Sequence, residues 1–343
     1  MTRRATGLMH DLDEWRTWER GRRRATNAAR DLKHRVRPGE PEAGELHLPS
    51  GVVRTVVVIE KFTPSCQAAI VEPLRHMSPE TTAVLTPAGS RIDHVMPGLT
   101  PVAFTGVEQL GTDVNAVLSL GAYLGFSEPI AAWARTREIP FFIVQHGLLT
   151  PSSPPASKGA RVLAWSEQDA EFWANGRPDV TVEVAGAQML WEAAHLPKVA
   201  LANDRPIMLG QLHGTELTRG EVLRTYWRAC RQHGMDYRPH PNENDIVSRA
   251  LHEAMRRGGI TFDTSGIPLP ELARPVVSVF STGTLEAAMR GLPAWVMDVA
   301  PSPWVRDFWA RYRLSRWGDE PTPAWEMPDD APALAVARAV EGA

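Results

Sequence analysis

Several runs of consecutive apolar, largely β-branched residues recur along this chain, and they limit the folds open to it. Val56-Val57-Val58-Ile59, Phe141-Phe142-Ile143-Val144 and Val276-Val277-Ser278-Val279-Phe280 show no apolar–polar alternation. A strand with one wet face alternates, whereas an unbroken run is buried on both faces, as in a parallel sheet covered by helices. Shorter strand-like runs lie at 83–85, 116–120, 162–165, 182–185, 206–210, 236–238, 260–262 and 294–297. Helix-like stretches fall between them: 64–76, a segment through Ile130 and Trp133, 218–232, 245–257 and 285–290. Strand and helix signals in alternation predict an α/β layer structure with right-handed crossovers.

At 343 residues the chain is long for one domain and comfortable for two. The expected division is a basic N-terminal helical segment over 1–50, a first α/β domain over 51–198, a second over 199–320, and a helical tail over 321–343. Trp304, Phe308, Trp309 and Trp317 are expected in an aromatic helix pinning the two halves. Open sheets of this kind bind ligands beyond the carboxyl ends of their strands. Two sheets facing a central cleft would place the site there.

Charge and cysteine content exclude some partners. A formal net charge of −3 gives no global argument for nucleic acid. Cys66 and Cys230 are the two cysteines, so neither a disulfide framework nor a metal spacing follows, and a reducing, cytoplasmic setting is expected. No apolar stretch nears the roughly 20 residues needed to span a bilayer, and Arg3-Arg4 has no apolar core behind it to make a secretory signal. Residues 1–37 hold 11 Lys and Arg against 5 Asp and Glu. That segment reads either as a solvated helix packed on the first domain or as a patch for an anionic membrane or a lipid-linked acceptor. Trp15 and Trp18 share one helical face and fit both readings.

Chemistry concentrates in loops that follow strands. Ser281-Thr282-Gly283-Thr284 opens a helix, where free N–H groups and hydroxyls can hold a phosphate. Glu286, inside that helix, could accept ribose hydroxyls; the plain alternative is a capped helix start. Tyr237-Arg238-Pro239-His240-Pro241 holds an imidazole between two prolines that stiffen the backbone. A protonated His240 with Arg238 would neutralise a leaving phosphate. His213-Gly214-Thr215-Glu216 follows the first strand of the second half, where a Gly turn would let backbone N–H groups face the cleft and His213 or Glu216 could touch a bound ligand. In the first half, His146 ends the Phe141–Val144 strand within Gln145-His146-Gly147, and Glu60 ends the Val56–Ile59 strand as a candidate general base. Asp263 reads as a turn residue. HExxH, paired CxxC, GxSxG and Walker strings are absent from the sequence.

The order of these strings resembles glycosyltransferases of the GT-B fold, which pair two Rossmann-like domains about a central cleft. Gln145-His146-Gly147, His213-Gly214-Thr215-Glu216, Arg238-Pro239-His240-Pro241, Ser281-Thr282-Gly283-Thr284-Leu285-Glu286-Ala287 and Gly291-Leu292-Pro293-Ala294 carry the likeness. The His-Pro and Ser-Thr pairs are most similar to bacterial sialyl-, polysialyl- and Kdo-type transferases using CMP-activated donors, with related strings in CDP-glycerol polymerases. The resemblance implies that His240 and Ser281-Thr282 hold the donor phosphate and that Glu286 binds ribose. It implies a metal-independent, cofactor-free transferase passing a sugar from a nucleotide donor to a cell-surface glycan or lipid-linked acceptor. The acidic-acidic-Gly string that supplies the base in sialyltransferases has no counterpart here, which leaves Glu60 and His146 as candidate bases. A UDP-sugar 2-epimerase-like enzyme, a CDP-glycerol-type transferase and a non-catalytic nucleotide-binding protein of an envelope complex are the alternatives.

Overall fold

The computed structural model describes residues 7–22, 43–213 and 216–343. They fall into two compact units. One holds Gly7–Gly147, Ser153–Met189 and Pro328–Ala343; the other holds Leu148–Ser152 and Leu190–Met327. Among the described residues no helix is long and apolar enough to cross a membrane.

The first unit contains α1 (Leu12–Arg22), β1 (Gly44–Leu48), β2 (Thr55–Val58), β3 (Thr82–Pro87), β4 (Thr100–Phe104), β5 (Ala116–Ser119), α2 (Ser127–Thr136), β6 (Phe141–Val144), β7 (Arg161–Ala164), α3 (Glu167–Ala174) and β8 (Thr181–Val184). α4 (Gln188–His195) spans the division between the units. The strands make one eight-stranded sheet in the order β4-β1-β3-β2-β5-β6-β7-β8. The expected parallel core is present: β2, β3, β5, β6, β7 and β8 pair in parallel, and every residue of β2, β5 and β6 is buried.

Two strands escape the sequence reading. β1, assigned to the helical N-terminal segment, pairs antiparallel with both β3 and β4, so the sheet is mixed. Glu45 and His47 break its apolar run, and burial of His47 is tolerated because its Nε2 lies 3.1 Å from the Thr86 hydroxyl. α1 forms as expected. Its Trp15 packs edge-on against Tyr123 at 5.5 Å, and Arg16 reaches the Ala122 carbonyl at 2.9 Å. Residues 1–6 and 23–42 of the basic segment lie outside the described residues. The helix expected over 64–76 is present but irregular. A π turn over Gln67–Val71 passes into a 3₁₀ turn over Glu72–His76. Pro73 has no N–H for an i→i−4 bond, which accounts for the change of pitch.

Gln145 follows β6 at the carboxyl edge of this sheet. Its side-chain oxygen accepts from Trp165 N and Trp173 Nε1, both at 3.2 Å. Its amide nitrogen donates to Asp169 Oδ2 at 3.0 Å and to the Gly147 carbonyl at 2.9 Å.

The second unit contains β9 (Ile207–Leu209), α5 (Arg219–Gln232), β10 (Asp236–Arg238), α6 (Ile246–Arg257), β11 (Val276–Ser278), α7 (Thr282–Met289), β12 (Ala294–Val296) and α8 (Pro303–Arg311). Its four strands are all parallel, in the order β10-β9-β11-β12. Thr218 and Glu221 form a reciprocal capping box that starts α5, and Asp245 caps α6 through Val247 N and Ser248 N. The strand expected over 260–262 shrinks to a single bridge between Tyr237 and Phe262. The chain leaves the sheet at Asp263, whose Oδ1 accepts from Ser265 N at 3.2 Å in a side-chain turn. In α8, Trp304 and Phe308 pack edge-on against Phe280, and Trp309 Nε1 donates to the Val279 carbonyl at 2.7 Å.

α9 (Pro332–Glu341) returns to the first unit. Its Val336, Ala337 and Val340 join Val57, Ile70, Leu74 and Leu118 in the core there. Burial of a valine side chain contributes about 1.5–3 kcal/mol, so this helix is part of the fold of that unit rather than an appendage.

Replacing Gln145 with Met keeps the volume but strips partners from two indole or backbone donors and from Asp169. Leaving buried polar groups unpaired is costly. The Gln145→Met protein is expected to lose about 2–4 kcal/mol of stability, read as a lower urea midpoint at unchanged slope.

Candidate functional site

In the four-stranded unit the chain runs from β9 to β10 on one side and then to β11 on the other. The crevice beyond the carboxyl ends of β9 and β11 is therefore a topological switch point, where open α/β sheets take ligands. The Gln211–His213 loop, the His240 loop and the Ser281 turn all leave this edge. They are tied together. Gln211 Nε2 donates to the Phe280 carbonyl at 3.5 Å, and the His213 and His240 rings lie 4.9 Å apart between centroids. The arrangement brings His213, His240 and the start of α7 to one rim. Gly214 and Thr215 lie outside the described residues.

A residue that the sequence analysis did not single out organises the rim. Glu243 is buried, and its carboxylate accepts from Leu212 N at 2.8 Å and from the Tyr237 hydroxyl at 2.9 Å. His252 Nε2 lies 2.7 Å from the same group. One carboxylate thus fixes the loop after β9, the end of β10 and the face of α6. Space around it is fully used. A Cβ on Gly210 would sit 2.3 Å from the Tyr237 hydroxyl oxygen and 2.7 Å from Glu243 Oε1. Burial beside Glu243 and Tyr226 pushes the Tyr237 phenol far above its usual pKa, so it stays a hydrogen-bond donor.

His240 and Arg238 differ from expectation. His240 Nδ1 accepts from Asn242 N at 3.1 Å, so the ring proton sits on Nε2. Loss of hydration holds the pKa of this imidazole below its usual 6.5, with Glu243 opposing. The ring is a neutral N–H donor rather than the expected cation. Arg238 does not stand beside it as a second charge. Its guanidinium pairs with Asp263 at 2.9 Å and donates to the Ile267 carbonyl. Asp263, read as a turn acid, is thus also the partner that withdraws Arg238 from phosphate binding.

The Ser281–Thr284 turn also divides its roles in a way the motif does not reveal. Ser281 is the N-cap of α7, its hydroxyl accepting from Gly283 N at 3.2 Å. Thr284 is fully buried, with its hydroxyl 2.7 Å from that of Ser278, so it is not a donor-phosphate ligand in this arrangement. Gly283 serves packing. A Cβ there would lie 2.4 Å from Leu269 Cδ2 and 3.0 Å from Leu209 Cδ1. Thr282 is a half-buried residue at the first helical position, where the backbone N–H has no intrahelical acceptor. Glu286 lies one turn further along the same helical face. Burial raises its pKa from 4.5 to about 7, with Arg290 opposing.

The eight-stranded unit has its own switch point, where β2 lies between β3 and β5. Glu60 follows β2 there, but its carboxylate is committed to the start of α2. Oε1 accepts from Phe126 N and from Ser127 N at 3.1 Å, and Oε2 from the Ser127 hydroxyl at 3.1 Å. Burial raises its pKa against those bonds. A general base needs a lone pair facing its substrate, and the capping role competes for both oxygens. His146 follows β6. Burial, reinforced by Lys61, lowers its pKa to about 4, so it is neutral and weakly basic. Its neighbour Gln145 serves the indole network described above.

No group of three or more His, Cys, Asp or Glu side chains among the described residues is placed to hold a metal ion. The sequence matches no protein-family model, and no curated protein is similar to it.

Two outcomes follow from this geometry. Gly210→Ala forces a methyl group into the Glu243–Tyr237 contact and is expected to cost about 1–3 kcal/mol, seen as a lowered melting temperature. Glu286 must ionise against burial, so its raised pKa favours folding below about pH 4.5 and disfavours it above about pH 7. Glu286→Gln is therefore expected to be about 1–3 kcal/mol more stable than the parent above neutral pH. The gain should vanish in acid, where both side chains are neutral, as urea melts across pH would record.

Proposed function

We propose that this chain is a glycosyltransferase of the GT-B type, moving a sugar from a CMP-linked donor to a cell-surface glycan or lipid-linked acceptor. The supporting observation is the meeting of His213, His240 and the start of α7 at the switch point of the parallel four-stranded sheet. That edge offers what a nucleotide phosphate needs without a cationic side chain: the His240 Nε2–H, the Thr282 hydroxyl and N–H, and the positive end of a helix. Glu286, one turn along α7, would accept the ribose hydroxyls in this reading.

In the reaction, the acceptor oxygen forms a bond to the anomeric carbon while the bond from that carbon to the phosphate oxygen breaks. The bonding pair leaves with the phosphate. Donors already aimed at that oxygen stabilise the growing charge without reorganising. Because His240 is neutral, its contribution is a hydrogen bond to the departing oxygen, and the acceptor proton goes to another base. A non-catalytic nucleotide-binding protein is the second reading. The commitment of Glu60 to α2 favours it, since one of the two candidate bases is then engaged elsewhere.

A thermal-shift panel of CMP, CDP, UMP, UDP and GDP tests the nucleotide site. CMP is expected to raise the melting temperature most, with about 2.7 kcal/mol added at 100 times its dissociation constant. No shift with any of the five would end the proposal. His240→Ala is expected to lower kcat/KM for transfer by about 10²–10³ while leaving the apo melting temperature nearly unchanged. CMP binding with neither donor hydrolysis nor transfer would select the non-catalytic reading.

A further inference from the structure

We propose that the outward face of α5, with the adjoining edge of β12, is a docking surface for an anionic lipid bilayer. The inward face of α5 is conventional: Val222, Thr225, Tyr226, Ala229 and Cys230 are buried. The outward face is different. Leu223, Arg224, Trp227 and Arg228 line a shallow groove of about 650 Å³ that extends to Val299. A second groove of about 550 Å³ shares Arg228, Gln232 and Val299 with it and continues to Arg316 and Trp317. The two form one continuous surface that is cationic at its rim and aromatic at both ends.

This surface gathers arginines that have no carboxylate partner among the described residues. Within the same unit Arg205, Arg219, Arg238 and Arg274 each lie within 2.9 Å of a carboxylate oxygen. Arg224, Arg228, Arg231 and Arg316 pair with no carboxylate among the described residues. The polar contacts they make are to a neutral amide, a carbonyl or an indole ring: Arg228 to Gln232 Oε1 at 3.0 Å, Arg231 to the Gly259 carbonyl at 3.4 Å, and Arg316 over Trp309 at 5.5 Å. Asp298 is the acid that lines the second groove. Asp298 Oδ1 accepts from the Thr225 hydroxyl and Ala300 N, and Glu221 closes the capping box of α5. The lining of the two grooves thus holds Arg224, Arg228 and Arg316 against Asp298, a net cationic lining that an anionic partner complements.

The apolar residues say which kind of anionic partner fits. Trp227 is 42% exposed, yet its ring is held in place: a Cβ on Gly258 would fall 2.1 Å from it. A fixed, half-exposed indole among arginines is the chemistry of the headgroup layer, where the ring sits at the interface and guanidinium groups meet lipid phosphate. α6 lies alongside, joined to α5 by Arg219–Asp245 at 2.8 Å and by Arg231, and carries Ile246 at 78% exposure and Val247 at 49%. Exposed aliphatic side chains on the same helical layer can enter lipid but gain little from a hydrophilic polymer.

The test is cosedimentation of the full chain with vesicles of phosphatidylcholine alone and of phosphatidylcholine with phosphatidylglycerol, at low and high salt. Binding is expected only with the anionic lipid, weakening as salt rises. Arg224→Gln/Arg228→Gln is expected to lower the partition coefficient about 25-fold, since one cation near such a surface is worth roughly a factor of five. Trp227→Ala is expected to lower it while preserving the salt dependence. Full vesicle binding by the double variant overturns the proposal and moves the contact to another part of the chain. So does a concentration-dependent dimer in light scattering that the double variant dissolves, because the face would then be an interface between copies. Binding to a soluble polyanion such as heparin in preference to the vesicles overturns it as well.

Discussion

The candidate site of the four-stranded unit depends on one buried carboxylate. Removing a carboxylate from water is expensive unless donors replace the lost hydration. Glu243 receives Leu212 N and the Tyr237 hydroxyl, with His252 close by. Those groups come from the loop after β9, from β10 and from α6, so satisfying the charge also sets the spacing of three elements. Gly210 is the matching constraint, since any side chain there would intrude on the cluster. The imidazoles of His213 and His240 then meet at the rim as a consequence of what lies beneath them.

Much of the layer structure was legible in the sequence. Runs such as Val56–Ile59 and Phe141–Val144 can satisfy their apolar side chains on both faces only inside a covered parallel sheet, and that is where they lie. β1 was not legible. Gly44-Glu45-Leu46-His47-Leu48 has the composition of a surface segment, and only pairing on both sides with β3 and β4 makes it a strand. Glu243 was missed for a related reason. Its burial arises from partners at 212, 237 and 252, which no local pattern reveals.

The site residues show how far a motif can be trusted. The loops chosen from sequence do meet at one edge, because strand ends are set by the same apolar runs that define the fold. The individual roles are less predictable. Ser281, Gly283 and Thr284 read as a phosphate cradle, but much of that string caps and packs α7, leaving Thr282 as a half-buried residue at its start. Arg238 and Glu60 have found intramolecular partners in Asp263 and in the first turn of α2. Polar side chains at strand ends serve both helix starts and ligands, since each presents similar unfilled N–H groups.

α9 has a consequence for how the chain acquires its structure in the cell. Val336, Ala337 and Val340 fill the core around β2 and β5, yet they leave the ribosome only after all of β9 to β12 has been made. The unit that begins first is thus completed last. During synthesis its apolar floor waits open for a segment still inside the exit tunnel, so nascent chains stalled before Pro332 should be the ones that chaperones hold longest.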